Sequence, residues 1–170
     1  RMIDLLRHTS GLTYGFQTRT NVDAAYRSAK IDPFERADGL DGFIDELSRV
    51  PLEFSPGTAW NYSVSTDVLG YLVEVNSGQP FEKYLKEKVI DPLGMADTRF
   101  GVTDVSRLSA CYSDDRPEPK RMGDAFFVPF KEGEGGTTFV PSRIFNPQAP
   151  QSGGGGIAGT ALDLARFLTM

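Results

Sequence analysis

At 170 residues the chain is long enough to bury a core, and 39% hydrophobic with 24% charged residues is an ordinary globular composition. A formal charge of −5 speaks against nucleic acid, because phosphate recognition needs clustered basic side chains and the densest cluster is Lys120-Arg121. One histidine and one cysteine (His8 and Cys111) supply too few ligands for a nitrogen–sulfur metal site and no internal disulfide, and no run of about 18 apolar residues could span a bilayer.

Met2, Ile3, Leu5 and Leu6 are in helical rhythm from the first residues, with no capping side chain ahead of them, and His8-Thr9-Ser10-Gly11-Leu12 reads as a turn. Residues 13 to 40 lack a sustained period and are expected to be loop, with one short helix around Val22 to Ser28. From Asp41, Phe43, Ile44, Leu47 and Val50 share one helical face until Pro51 ends it. Pro56-Gly57 marks a turn. Between Ser63 and Ser77 the residues Val64, Val68, Leu69, Leu72 and Val73 form a wide helical stripe, with Gly78 placed as a left-handed cap. Pro80 suits the first turn of a further helix carrying Phe81, Tyr84, Leu85 and Val89, closed by Pro92 and Leu93-Gly94.

Beyond residue 100 regularity fails. Six of the eleven prolines lie between Pro117 and Pro150, beside Gly123, Gly133, Gly135 and Gly136, which excludes long helix and central strand. Short strands are expected near Ala125 to Phe130 and Thr137 to Val140, in an arm held down by Phe126, Phe127, Phe130 and Phe139. Four glycines, Gly153 to Gly156, follow Ser152; they read as a place of tight backbone approach. Thr160 then caps a last helix, with Asp163 in its first turn. Both ends fall inside apolar helical patterns, so the expectation is an internal fragment of a longer polypeptide. Its single unit, 1–170, divides into an entry helix end and turn (1–12), a helical region (13–100), an irregular arm (101–150) and a glycine-rich loop with a return helix (151–170). The predicted fold class is mainly α with long irregular loops and few short strands. A targeting signal would lie upstream of Arg1, which leaves the compartment open between cytoplasm and periplasm or exterior of a bacterium.

A self-sufficient active site is not found. There is no Gly-x-Ser-x-Gly, no Ser-x-x-Lys and no phosphate loop; Ser28-Ala29-Lys30 has the wrong spacing to place both side chains on one helical face. His8 lacks a matched nucleophile and is expected to be structural, in a turn that supports the segment around residue 62. What stands out is a series of phrases in order: Leu5-Leu6-Arg7-His8-Thr9-Ser10-Gly11-Leu12, Pro56-Gly57-Thr58-Ala59-Trp60-Asn61-Tyr62-Ser63-Val64, Gly70-Tyr71-Leu72-Val73-Glu74, Pro92-Leu93-Gly94-Met95-Ala96-Asp97-Thr98, and Ser152 through Leu164.

This series resembles the serine β-lactamase-like superfamily, especially class C β-lactamases, family VIII carboxylesterases and D-aminopeptidases. The resemblance spans nearly the whole chain and is weak over 13–40 and 103–150. It implies the helical subdomain of the α+β serine β-lactamase/transpeptidase-like fold. It also implies that Tyr62 is the catalytic tyrosine, that the Ser-x-x-Lys nucleophile motif precedes Arg1, and that a Lys-Thr-Gly-like motif follows Met170. A phenol ordinarily titrates near 10, so in this family a neighbouring lysine ammonium supports the tyrosine as a proton shuttle between serine and leaving group. Residue 64 is Val where lactamases usually carry Asn; valine offers no amide donor or acceptor, which tilts the reading from β-lactams toward simple esters. Val64 and Trp60 are the candidate substrate-binding residues; Trp60, Phe126 and Phe127 are candidates for the wall of an acyl pocket, with core packing as their default expectation.

The implied activity is a serine hydrolase with an acyl-enzyme, a short-chain carboxylesterase first. A β-lactamase, a D-alanyl-D-alanine carboxypeptidase or D-aminopeptidase, and a non-catalytic binding domain are the alternatives. The implied partners are a small ester, β-lactam or peptide substrate and the missing α/β part of the same polypeptide, with self-association of the isolated chain. No metal and no cofactor are expected, and the isolated chain is expected to be inactive.

Overall fold

Helices carry most of the regular structure in the computed structural model, which describes residues 1–34, 39–102, 104–130, 136–146 and 149–170. Among these residues, α1 (Met2–Leu6) precedes a loop and α2 (Asn21–Ser28), close to the predicted short helix. The start of α2 is a capping box that the sequence reading did not identify. Thr20 Oγ1 accepts from the Asp23 amide at 3.2 Å, and Asp23 Oδ2 accepts from the Thr20 amide at 2.8 Å. Next, α3 (Gly39–Leu47) buries Leu40, Phe43 and Leu47, and turn-type hydrogen bonds continue to Val50 before Pro51.

The longest helix among the described residues, α4 (Ser65–Ser77), follows the predicted stripe and ends at Gly78, whose φ of +67° is the left-handed cap. Pro80 stands one place ahead of the first turn of α5 (Phe81–Leu85): its carbonyl accepts from Tyr84 at 3.0 Å, while the Phe81 amide is satisfied by Glu74 Oε1 at 2.7 Å. A π-helical turn, Lys86–Ile90, prolongs α5. The core gathers Tyr26 of α2, Phe43 and Leu47 of α3, and Tyr14, Ile31 and Val64 from the segments between.

Beyond residue 98 the strands form two-stranded antiparallel pairs. The two predicted strand windows contain β4 (Phe126–Pro129) and β5 (Gly136–Phe139), in register Phe126 to Phe139. The pairs β2 (Tyr112–Ser113) with β3 (Lys120–Arg121), and β1 (Arg99–Phe100) with β6 (Ile157–Ala158), were not foreseen. Part of the expected arm, including Gly133 and Gly135, lies outside the described residues.

Pairing of β1 with β6 returns the chain to α4, and the glycine run lies flush on that helix. A Cβ on Gly153 would stand 2.3 Å from the Thr66 carbonyl oxygen, and one on Gly154 2.5 Å from Asp67 Oδ1. Finally, α6 (Ala161–Leu168) starts at Thr160, whose hydroxyl accepts from the Asp163 amide at 3.2 Å. Asp163 is buried and accepts from the Asp97 amide at 2.9 Å and the Thr98 hydroxyl at 3.0 Å, anchoring α6 to the turn ahead of β1. Among the described residues no helix is long and apolar enough to cross a membrane.

Candidate active site

The segment from Glu53 to Val64 is irregular, so its backbone groups need partners from elsewhere. Residues 8–13 supply them. His8 O accepts from the Asn61 amide at 2.9 Å, Thr9 O from Gly57 at 2.7 Å, Gly11 O from Glu53 at 2.8 Å and Thr13 O from Val64 at 3.3 Å. The Ser63 amide donates to His8 Nδ1 at 3.3 Å, which leaves the ring proton to Nε2. A row of hydroxyls continues inward: His8 Nδ1 to Ser63 Oγ is 3.2 Å, and Ser63 to Ser65 and Ser65 to Ser10 are each 2.7 Å. His8 thus braces the tyrosine segment, the structural role expected for it.

So held, the Tyr62 ring lies 5.2 Å from His8 and 5.1 Å from Tyr14, with 49% of its surface open to solvent. Tyr14 is buried and donates to Asp67 Oδ2 at 3.2 Å. Burial pushes the Tyr14 hydroxyl far above the usual phenol range, and the Asp67 carboxylate and the Tyr62 oxygen act in the same direction. Asp67 itself has no solvent exposure, and its other oxygen accepts from the Ser152 hydroxyl. Burial raises its carboxyl, with the charge of Asp32 adding to the effect, while the hydrogen bonds from Ser152 and Tyr14 oppose it. A buried polar line therefore runs from the glycine-rich loop through Asp67 and Tyr14 to Tyr62.

Tyr14 and Asp67 are site-adjacent residues that sequence reasoning missed. Tyr14 falls in a stretch without periodicity. Asp67 carried a usable signal: it is an acid three residues after Val64 and three before Gly70, on the buried face of α4.

Outside Tyr62 opens a shallow groove of about 300 Å³ walled by Phe16, Trp60, Tyr62 and Phe130, with Arg19 at its edge. Phe16 stacks on Tyr14 at 4.8 Å, Phe130 meets Phe16 edge-on at 5.9 Å, and Trp60 meets His8 edge-on at 6.2 Å. Two of the three candidate site residues, Tyr62 and Trp60, are thus brought to one surface. Val64 is not. It has no solvent exposure, because position 64 precedes α4 and its side chain fills the core cluster between Tyr14 and the helices. Phe126 and Phe127 stay in the β4–β5 pair away from the groove, which Phe130 walls instead. Core packing does not hold for Phe127 or its neighbour Phe139, because a two-stranded pair leaves both exposed.

A larger hollow of about 400 Å³ near α1 is walled by leucines such as Leu5, Leu12 and Leu52. Its two charged groups, Arg1 and Asp4, are paired with each other at 2.8 Å, and its Ser10 hydroxyl is already engaged. It offers no nucleophile or base. Among the described residues no group of three or more His, Cys, Asp or Glu side chains could hold a metal ion.

The family model described as Beta-lactamase matches residues 1–170. Esterase EstB of Burkholderia gladioli is 41% identical over 167 residues, which are 96% of this chain and 42% of that protein. Lovastatin esterase of Penicillium rubens is 30% identical over 165 residues, 96% of this chain and 37% of the esterase. Among solved structures, EstCE1, described as a hydrolase with promiscuous acyltransferase activity, superposes with a TM-score of 0.86 at 32% identity. The alignment with it covers 97% of this chain and 44% of that one. The chain spans less than half the length of each of these relatives.

Proposed function

The chain belongs to the Beta-lactamase family, and from that membership we propose that the polypeptide carrying residues 1–170 is a serine hydrolase working through an acyl-enzyme on short-chain carboxylic esters. Residues 1–170 are its helical subdomain, and Tyr62 is its proton shuttle. The nucleophilic serine and its lysine come from outside residues 1–170, within which no Ser-x-x-Lys occurs.

The observation that carries the reading is the setting of Tyr62. Its phenol stands half-exposed at an open aromatic groove, where a serine, a lysine and a substrate could reach it, rather than deep in packed apolar surroundings. In the reaction, the serine oxygen bonds to the ester carbonyl carbon and its proton passes through the tyrosine–lysine pair to the leaving alcohol oxygen as the C–O bond breaks. Water then releases the acid from the acyl-enzyme. Tyr14, its hydroxyl donating to Asp67, lies behind the Tyr62 ring at 5.1 Å and packs against it.

Three features favour esters over β-lactams. Position 64 carries a buried valine and presents no amide group to a substrate. The groove walls are aromatic. The relatives matched over nearly the whole chain include two proteins named as esterases.

The test uses the full-length protein with a short p-nitrophenyl ester and a chromogenic cephalosporin. Tyr62→Phe should lower kcat on the ester by about 10²–10⁴-fold, with an unchanged circular dichroism spectrum. The 170-residue chain by itself should give no burst of p-nitrophenol. Fast cephalosporin turnover beside negligible ester turnover would overturn the ester preference, and full activity of Tyr62→Phe would remove the tyrosine from the mechanism.

A further inference from the structure

The groove holds a cation that ester hydrolysis does not require. Arg19 Nη2 donates to Asn61 Oδ1 at 2.8 Å, and Asn61, only 6% exposed, is itself fixed by its Nδ2 to Leu12 O at 3.0 Å and Glu53 Oε2 at 2.9 Å. The guanidinium is therefore positioned through the residue directly before Tyr62. Among the described residues it has no ion-pair partner. Glu53, an acid in the same network, accepts at Oε2 from Asn61 and at Oε1 from the Thr20 hydroxyl at 2.7 Å, and makes no ion pair with the guanidinium. A guanidinium carries five N–H donors in a planar fork suited to a carboxylate, and Asn61 uses a single edge of it.

The walls add the second half of the argument. Phe16, Trp60 and Phe130 present aromatic surface, and about 300 Å³ is enough for one substituted ring. A proton passed by Tyr62 must reach an oxygen within hydrogen-bond distance of the phenol, so the alcohol side of the ester is the side that lies along this groove. Resting on the reading of Tyr62 given above, we propose that the groove is a binding site for the leaving-alcohol part of aryl esters that carry a carboxylate, the ring against Phe16, Trp60 and Phe130 and the carboxylate on Arg19. Hydrolysis breaks the acyl C–O bond; the phenolic oxygen leaves with the proton delivered through Tyr62, and the acyl group passes to the serine and then to water. The chain's net charge of −5 provides no general attraction for anions, so the preference is local and one substitution removes it.

The experiment compares 4-acetoxybenzoate with its neutral counterpart 4-acetoxybenzamide on the full-length protein, as wild type, Arg19→Gln and Arg19→Lys. Comparing the ratio of kcat/KM between variants cancels the intrinsic reactivity of the two esters. The carboxylate-to-amide ratio should fall about tenfold in Arg19→Gln, mainly through KM, and take an intermediate value in Arg19→Lys, which keeps charge but loses the fork. Calorimetric titration with 4-hydroxybenzoate should show binding to wild type that weakens by a similar factor in Arg19→Gln. An unchanged ratio would overturn the site. So would an equal loss on both esters accompanied by a shifted pH profile, since Arg19 would then act on Tyr62 and not on the substrate. If neither ester is hydrolysed but 4-hydroxybenzoate binds in an Arg19-dependent way, the esterase reading falls and the binding site stands; if 4-hydroxybenzoate does not bind either, both fall.

Discussion

Asp67 shows how one side chain can link a loop to a reactive group. It lies on α4 without solvent contact and accepts from Ser152 on one side and Tyr14 on the other. Ionisation there is opposed by burial and by the charge of Asp32, so its carboxyl titrates above the ordinary Asp value of 3.8. Between that value and the raised one, the folded chain holds a proton that the unfolded chain has released, and stability falls as pH rises. Asp67→Asn keeps the shape and removes the titration. The wild-type melting temperature should therefore decline relative to Asp67→Asn as pH is raised above the ordinary Asp value, each unit inside the window moving the difference by up to about 1.4 kcal/mol. Thermal melts of both proteins across that range check this; a wild-type advantage that grows with pH would contradict the burial argument.

At the scale of elements, the contact of the glycine-rich loop with α4 is sharper than a flexible linker would be. A methyl on Gly153 would overlap the Thr66 carbonyl and press on Gly70, all of it backbone that cannot rotate away. At Gly155 the nearest neighbour is the Phe34 ring, 3.2 Å from a built Cβ, which can shift. Gly153→Ala should thus destabilise by about 1–3 kcal/mol or lift the loop from α4, while Gly155→Ala costs less than about 1 kcal/mol. Urea unfolding of the two variants separates them, and equal midpoints would show that the contact is loose. The tight approach was readable from four consecutive glycines, as α3 and α4 were from their apolar stripes and Pro51 and Gly78. The helix partner of the loop was not readable, because β1 and β6 are two residues each and pair across nearly 60 positions, too short for any alternation to register. The site divides in the same way: Tyr62 and Trp60 sit in one phrase and Asp67 shows as an acid on the buried face of α4, whereas Tyr14 and Arg19 reach the site through contacts that no local pattern encodes.

For the molecule as a whole, the distribution of apolar surface is uneven. The core draws on α2, α3, α4 and the segments that join them, while every strand belongs to a two-stranded pair among the described residues, an arrangement that is marginal without packing support. Against this, α6 is inverted. It buries its acid, Asp163, and turns Leu162, Leu164 and Leu168 outward at 62%, 57% and 72% exposure, with Met170 beyond them. A helix whose polar anchor faces in and whose leucines face out is built to be covered. On its own, the 170-residue chain should use this face against another copy and elute as a dimer or larger in size-exclusion chromatography with light scattering. Leu164→Lys combined with Leu168→Lys should shift it toward monomer, because two like charges would then meet across the contact, while the Asp163 anchor and hence the helix stay in place. A wild-type chain that runs as a stable monomer across the concentration range would show that the exposed leucines are tolerated singly and that α6 needs no cover.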